Sequence, residues 1–171
     1  MIKEKMCYEI VDSADATAEG VYSAEGISFR ETQLSQTDMA MLEDVISKWE
    51  IHDDYEWSEE NFVYEDEKSD SGTKIIELID MVSFKASVTC SSDLLGGYLL
   101  KNGEFVGIIL QLEQTSSFGM ACSQEKDFGV ILTDGTIYGK TSKYYSHCST
   151  EKDSSSSHRY HLINKEKYYN N

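Results

Sequence analysis

The sequence predicts an α+β fold in which a curved antiparallel sheet carries one amphipathic helix, at about residues 36–49, packed on it. Three observations support this. A helix-start signal at Leu34–Met39 leads into an apolar stripe at helical spacing. Two glycine turns, Asn102-Gly103 and Asp134-Gly135, stand between apolar runs. Period-two alternation of aromatics and acids between Tyr55 and Tyr64 adds further strand signal.

Taken in order, Ser35 is the expected N-cap of the helix, Asp38 its capping-box acid, and Leu34 with Met39 a hydrophobic staple. Leu42, Val45, Ile46 and Trp49 follow on one stripe, while Glu43, Asp44 and Ser47 face outward. Tyr55 with Trp57 and Phe62 with Tyr64 read as strands, with Ser58–Asn61 turning the chain between them. A second turn is expected at Lys68-Ser69-Asp70-Ser71-Gly72. Residues 73–84 fit a buried helix or a buried strand, and their β-branched content leans toward strand.

In the second half, Tyr98-Leu99-Leu100 and Phe105–Leu112 flank Asn102-Gly103, and Val130–Leu132 with Thr136–Tyr138 flank Asp134-Gly135. Ser154–Ser157 reads as a flexible polar run, with His158–Ile163 as a last strand and residues 164–171 as a flexible tail. Proline is absent, so Gly, Asn, Asp and Ser make the turns. One domain over residues 1–171 is expected, with an acidic, aromatic-rich half at 1–80 and a neutral hairpin half at 81–163.

The chain has 31 acids against 15 Lys and Arg, a formal net charge of −16. All of this excess lies in residues 1–80, which hold 22 acids and 6 bases; residues 81–171 are balanced. Glu43 to Asp70 alone carries 12 acids against Lys48 and Lys68. Such acidity argues against direct nucleic-acid binding and against an anionic membrane surface, since both depend on Lys and Arg. No apolar run is long enough for a membrane helix, and the expected setting is the cytoplasm. The four cysteines are widely spaced and read as free thiols in a reducing compartment.

Several chemical motifs fail on their spacing. Ser92-Asp93-Leu94-Leu95-Gly96-Gly97 followed by Asn102-Gly103 and Val106-Gly107-Ile108 resembles the nucleophile region of chymotrypsin-like serine proteases over about a tenth of the chain. Leu95 stands where that family has its nucleophile and Tyr98 where it has proline, so the covalent chemistry is missing. Asp66, Asp70, Gly72 and Glu77 superficially resemble a calcium loop, but Lys68 replaces a ligand and the glycine is displaced by one position. Gly96-Gly97 lacks the Lys-Ser/Thr of a phosphate loop. His147, Cys148, His158 and His161 suffice in number for zinc but not in spacing, so neither a metal nor a cofactor is expected.

The acidic block is threaded with aromatics, unlike a disordered acidic tail, and reads as folded surface. The expected function is therefore a non-catalytic inhibitor or binding protein. It would dock this face on the basic, nucleic-acid-binding surface of a partner such as a nuclease, as anti-CRISPR, anti-restriction and toxin-immunity proteins do as a class. The candidate docking residues are Glu43, Asp44, Glu50, Asp53, Asp54, Tyr55, Glu56, Trp57, Glu59, Glu60, Tyr64, Glu65, Asp66, Glu67 and Asp70. The alternatives are a small enzyme using carboxylate and histidine acid–base chemistry, or an acidic scaffold subunit.

Overall fold

The computed structural model describes residues 7–12, 19–61, 66–78, 94–118, 121–148 and 150–170. In chain order the elements are β1 (Cys7–Val11), β2 (Val21–Ala24), β3 (Ile27–Thr32), α1 (Gln36–Ile46), β4 (Trp49–Asn61), β5 (Asp66–Glu77), β6 (Leu94–Lys101), β7 (Glu104–Phe118), β8 (Ala121–Leu132), β9 (Ile137–Gly139), β10 (Ser142–Cys148), β11 (Lys152–Asn164) and α2 (Lys165–Tyr169). They build two sheets, one in the order β2-β3-β1-β6-β7-β8-β9 and one in the order β10-β11-β4-β5.

The apolar runs of β6 and β7 are explained by burial on both faces. Tyr98, Leu100, Ile108, Leu110 and Leu112 belong to one core, while the intervening Leu99 and Ile109 belong to another. The second core fills the inside of the seven-stranded sheet, which curls until its ends approach. Tyr22 of β2 packs 5.6 Å from Phe128 of β8, and a Cβ on Gly139 of β9 would lie 3.1 Å from that of Ala24. The result is a nearly closed, strongly curved sheet. The first core lies on its outer side, where Leu42 and Ile46 of α1 and Ile51 and Tyr160 of the four-stranded sheet cover it. Each fully buried aliphatic side chain there contributes about 1.5–3 kcal/mol. A polar contact crosses this core, the Tyr98 hydroxyl donating to the Leu78 carbonyl at 2.8 Å.

Local signals placed several elements. The β6–β7 turn has Asn102 at φ 52° and Gly103 at φ 79°, the paired positive values that the Asn-Gly signal implies. The β8–β9 turn uses Gly135 at φ 91°, and the Asp134 side chain accepts from the Thr136 amide. Ser35 caps α1 by accepting from the Asp38 amide at 3.1 Å.

Other expectations change. The helix ends at Ile46 rather than at Trp49, which opens β4 and packs 6.2 Å from Phe105. The sheet is not wholly antiparallel, because β1 and β6 run parallel. Ser58–Asn61 and Lys68–Gly72 are strand rather than turn, and Ser154–Ser157 lies in the middle of β11 rather than in a loop. In each case a partner strand in continuous register outweighs a weak local preference. Where the tail is expected to be flexible, residues 165–169 form a helical turn, capped by the Asn164 side chain accepting from the Lys167 amide. Residues 73–77 are strand, and residues 79–93 lie outside the described residues. Among the described residues no helix is long and apolar enough to cross a membrane.

Candidate functional site

The acidic block folds mainly into β4 and β5, so its residues separate by strand parity into two faces. Register with β11 and β10 defines those faces, because directly paired residues project to the same side. Ile51, Asp53 and Tyr160 lie toward the core. The other face is turned outward, and its composition runs in rows across the four strands. One row is Ser142–Arg159–Asp54–Thr73, the next is Tyr144–Ser157–Glu56–Ser71, and the next is Ser146–Ser155–Ser58–Ser69. Beyond them Asp153, Glu60 and Glu67 stand side by side.

The first two rows, with Lys140, line a hollow of about 670 Å³, and the second row with Ser155, Ser58 and Ser69 of the third lines an adjoining one of about 380 Å³. Both hollows include Tyr144, Ser157, Glu56 and Ser71, so they form one groove with that row as its shared floor. Small serine side chains keep the floor low. Ser58 and Ser155 are hydrogen-bonded across the strands at 3.0 Å. Tyr144 remains 53% exposed beside them. Thr73 donates to Asp54 at 2.8 Å, and His161 Nε2 lies 3.1 Å from the other oxygen of the same carboxylate.

At the near end the outward face is closed by α2. Its Tyr168 ring meets His52 edge-on at 5.1 Å, its Tyr169 hydroxyl donates to Glu50 at 2.5 Å, and Lys165 pairs with Glu77. Glu50 and His52 are thereby 3% and 8% exposed and bind each other at 2.8 Å. Burial pushes the Glu50 carboxyl upward, but hydrogen bonds from Tyr169 and His52 and the charges of His52 and Lys165 outweigh it, and the net direction is downward. The same bond to Glu50 is the main reason the Tyr169 hydroxyl is pushed up to about 12.

On the inward face both oxygens of Asp53 lie 2.9 and 3.0 Å from His158 Nδ1. A carboxylate only accepts, so Nδ1 is the protonated nitrogen. This ring stacks on Tyr160, whose hydroxyl is pushed up by burial and by Asp53. The pair ties β4 to β11 and gives a buried acid its hydrogen-bond donor.

The expected docking residues are therefore divided. Glu50 and Asp53 are buried and engaged, Tyr55 and Trp57 are half-buried on the inward side, and Glu59 is paired with Lys152 at 3.5 Å. Glu43 and Asp44 stand apart on α1, half-buried and exposed respectively. Asp54, Glu56, Glu60, Glu67 and Asp70 are exposed. Asp66 pairs with Asn61 in the ladder, while Tyr64 and Glu65, like Ser92 and Asp93, lie outside the described residues.

The four candidate metal ligands are spread along the strands. The backbones of His147 and Cys148 pair with Ser154 and Asp153, about 13–17 Å along β11 from His158 and about 24–27 Å from His161. No group of three or more metal-ligating side chains comes together among the described residues.

The serines, Tyr144 and Arg159 of the groove carry no motif. The signal that could have found them is Ser142, Tyr144 and Ser146 at alternate positions opposite the Ser155–Ser157 run, once these are taken as strand. Comparison with protein-family models, with curated proteins and with solved structures finds no match to this chain.

Proposed function

We propose that the chain is a non-catalytic binding protein that docks its acidic end on a basic, nucleic-acid-binding surface of a partner protein and so inhibits it. The observation that carries this reading is the row Asp153–Glu60–Glu67. Three carboxylates stand directly opposite one another across adjacent strands, an arrangement that costs stability. Among the described residues none of the three has an ion-pair partner. A basic partner would relieve that repulsion on binding. The neighbouring row, Ser155–Ser58–Ser69, carries no charge, so the uncompensated carboxylates are concentrated in one row on a rigid support.

The test is capture of a partner from bacterial lysate on the immobilised chain, at low and high salt, followed by competition with duplex DNA or RNA. The expected partner is basic, is released by salt and by nucleic acid, and is lost from a Glu60→Lys/Glu67→Lys variant. Capture that resists salt and survives the double reversal would overturn the reading.

A further inference from the structure

We infer that the groove on the outward face of the four-stranded sheet is a binding site for a short neutral oligosaccharide. The proposal goes beyond the docking reading and uses different residues from the terminal acidic row. Exposed sheet positions normally favour β-branched and aromatic side chains. The three rows that floor this groove instead carry serine at seven of twelve positions, with one threonine and one tyrosine. Serine adds little to strand stability, and here its smallness opens a floor of about 13 by 14 Å. Each hydroxyl both donates and accepts, as each sugar hydroxyl does, so a polyol meets matched partners at every strand.

The remaining groups fit the same ligand. Glu56 projects from the shared floor with no hydrogen-bond or ion-pair partner among the described residues, and its two oxygens can accept from adjacent sugar hydroxyls. Arg159, in the neighbouring row, presents paired donors for the same pattern. The exposed ring of Tyr144, separated from Glu56 by Ser157, offers an apolar face to the C–H face of a pyranose. The larger hollow balances Asp54 and Glu56 against Lys140 and Arg159, so a ligand of either charge gains no net attraction there. That balance selects a neutral polyol over an anionic glycan or a cationic peptide. A volume of about 670 Å³ is in the ordinary range for a small-ligand site.

The experiment is calorimetric titration of the full chain with neutral gluco-, manno-, galacto- and N-acetylglucosamine oligosaccharides, at low and high salt. At least one is expected to bind at up to millimolar concentration, with an affinity that salt leaves unchanged. Glu56→Gln and Tyr144→Ala should each weaken it about tenfold, the loss expected for one charge-assisted hydrogen bond or one stacking contact. Ser157→Val fills the floor with a side chain that strands favour, so it should fold at least as well and abolish binding. Glu60→Lys should leave sugar binding intact while it weakens protein docking, which separates the failure of either idea from the other. The inference is overturned if no neutral oligosaccharide binds, if Ser157→Val binds as the parent does, or if the groove takes only an oligo-arginine peptide in a salt-dependent manner.

Discussion

Glu50 shows how single residues tie the carboxyl-terminal turn to the sheet. Its hydrogen bond from Tyr169 lowers its own pKa from the ordinary 4.5 and raises that of Tyr169 from 10.0 to about 12. The two shifts act on opposite limbs of the stability profile. The Glu50 contribution is present above pH 4.5 and is lost as pH falls through the lowered folded value. The Tyr169 contribution is complete below pH 10 and is lost as pH rises from there towards about 12, because the unfolded chain releases that proton first. Tyr169→Phe should therefore flatten both limbs of a plot of thermal midpoint against pH, and remove a tyrosine titrating near 12 from the ultraviolet phenolate titration. An unchanged alkaline limb would show that the bond to Glu50 does not persist in solution. Tyr98 makes the complementary case inside the core. Tyr98→Phe removes the donor to the Leu78 carbonyl and leaves that acceptor buried, so urea unfolding should show a loss of about 1–3 kcal/mol.

At the scale of the element, α1 was legible because its start is chemically local: Ser35 binds the amide three residues on, within one turn. Ser35→Ala should cost about 1 kcal/mol in the same unfolding assay, whereas Thr37→Ala, on the exposed side of the first turn, should change little. The helix ends short of Trp49 because that residue, although it continues the helical stripe, packs its ring on Phe105 from the start of β4. Both hairpins were legible for the same local reason as the cap, since positive φ at Asn102, Gly103 and Gly135 demands those residue types. The long strands were not. Ser58–Asn61 and Ser154–Ser157 have turn-like composition, and only their mutual pairing, about a hundred positions apart in sequence, makes them strand. The β8–β9 edge carries a sharper requirement. A Cβ on Gly129 would lie 1.9 Å from the Lys140 carbonyl oxygen, a backbone atom that cannot swing aside. Gly129→Ala should cost about 3 kcal/mol or more, and an unfolding midpoint equal to that of the parent would contradict this close approach.

For the whole molecule the acidic block was visible in the sequence, but which acids face solvent was not, because strand parity needs a register that composition does not encode. Glu50 and Asp53 turn out to be buried beside imidazoles, whereas Glu60 and Glu67 join Asp153, from the far end of the chain, in one uncompensated row. A chain of net charge −16 already repels itself, and this row concentrates the repulsion at one end of a sheet. Directly opposed like charges cost roughly 0.2–1 kcal/mol per pair, and Glu60 takes part in two such pairs. Glu60→Gln keeps the shape of the side chain and removes both, so it should stabilise the fold by about 0.5–1 kcal/mol at low ionic strength. Because screening shortens the reach of exposed charges to about 3 Å at 1 M salt, parent and variant should converge there. If the proposed docking on a basic partner holds, the same variant should bind that partner less well, which would make the row a feature that trades stability for binding. Parallel urea unfolding of the two proteins across a salt series is the decisive measurement. If Glu60→Gln is no more stable than the parent at low salt, the row is not repulsive, and the strongest reason for assigning it to a cationic partner disappears.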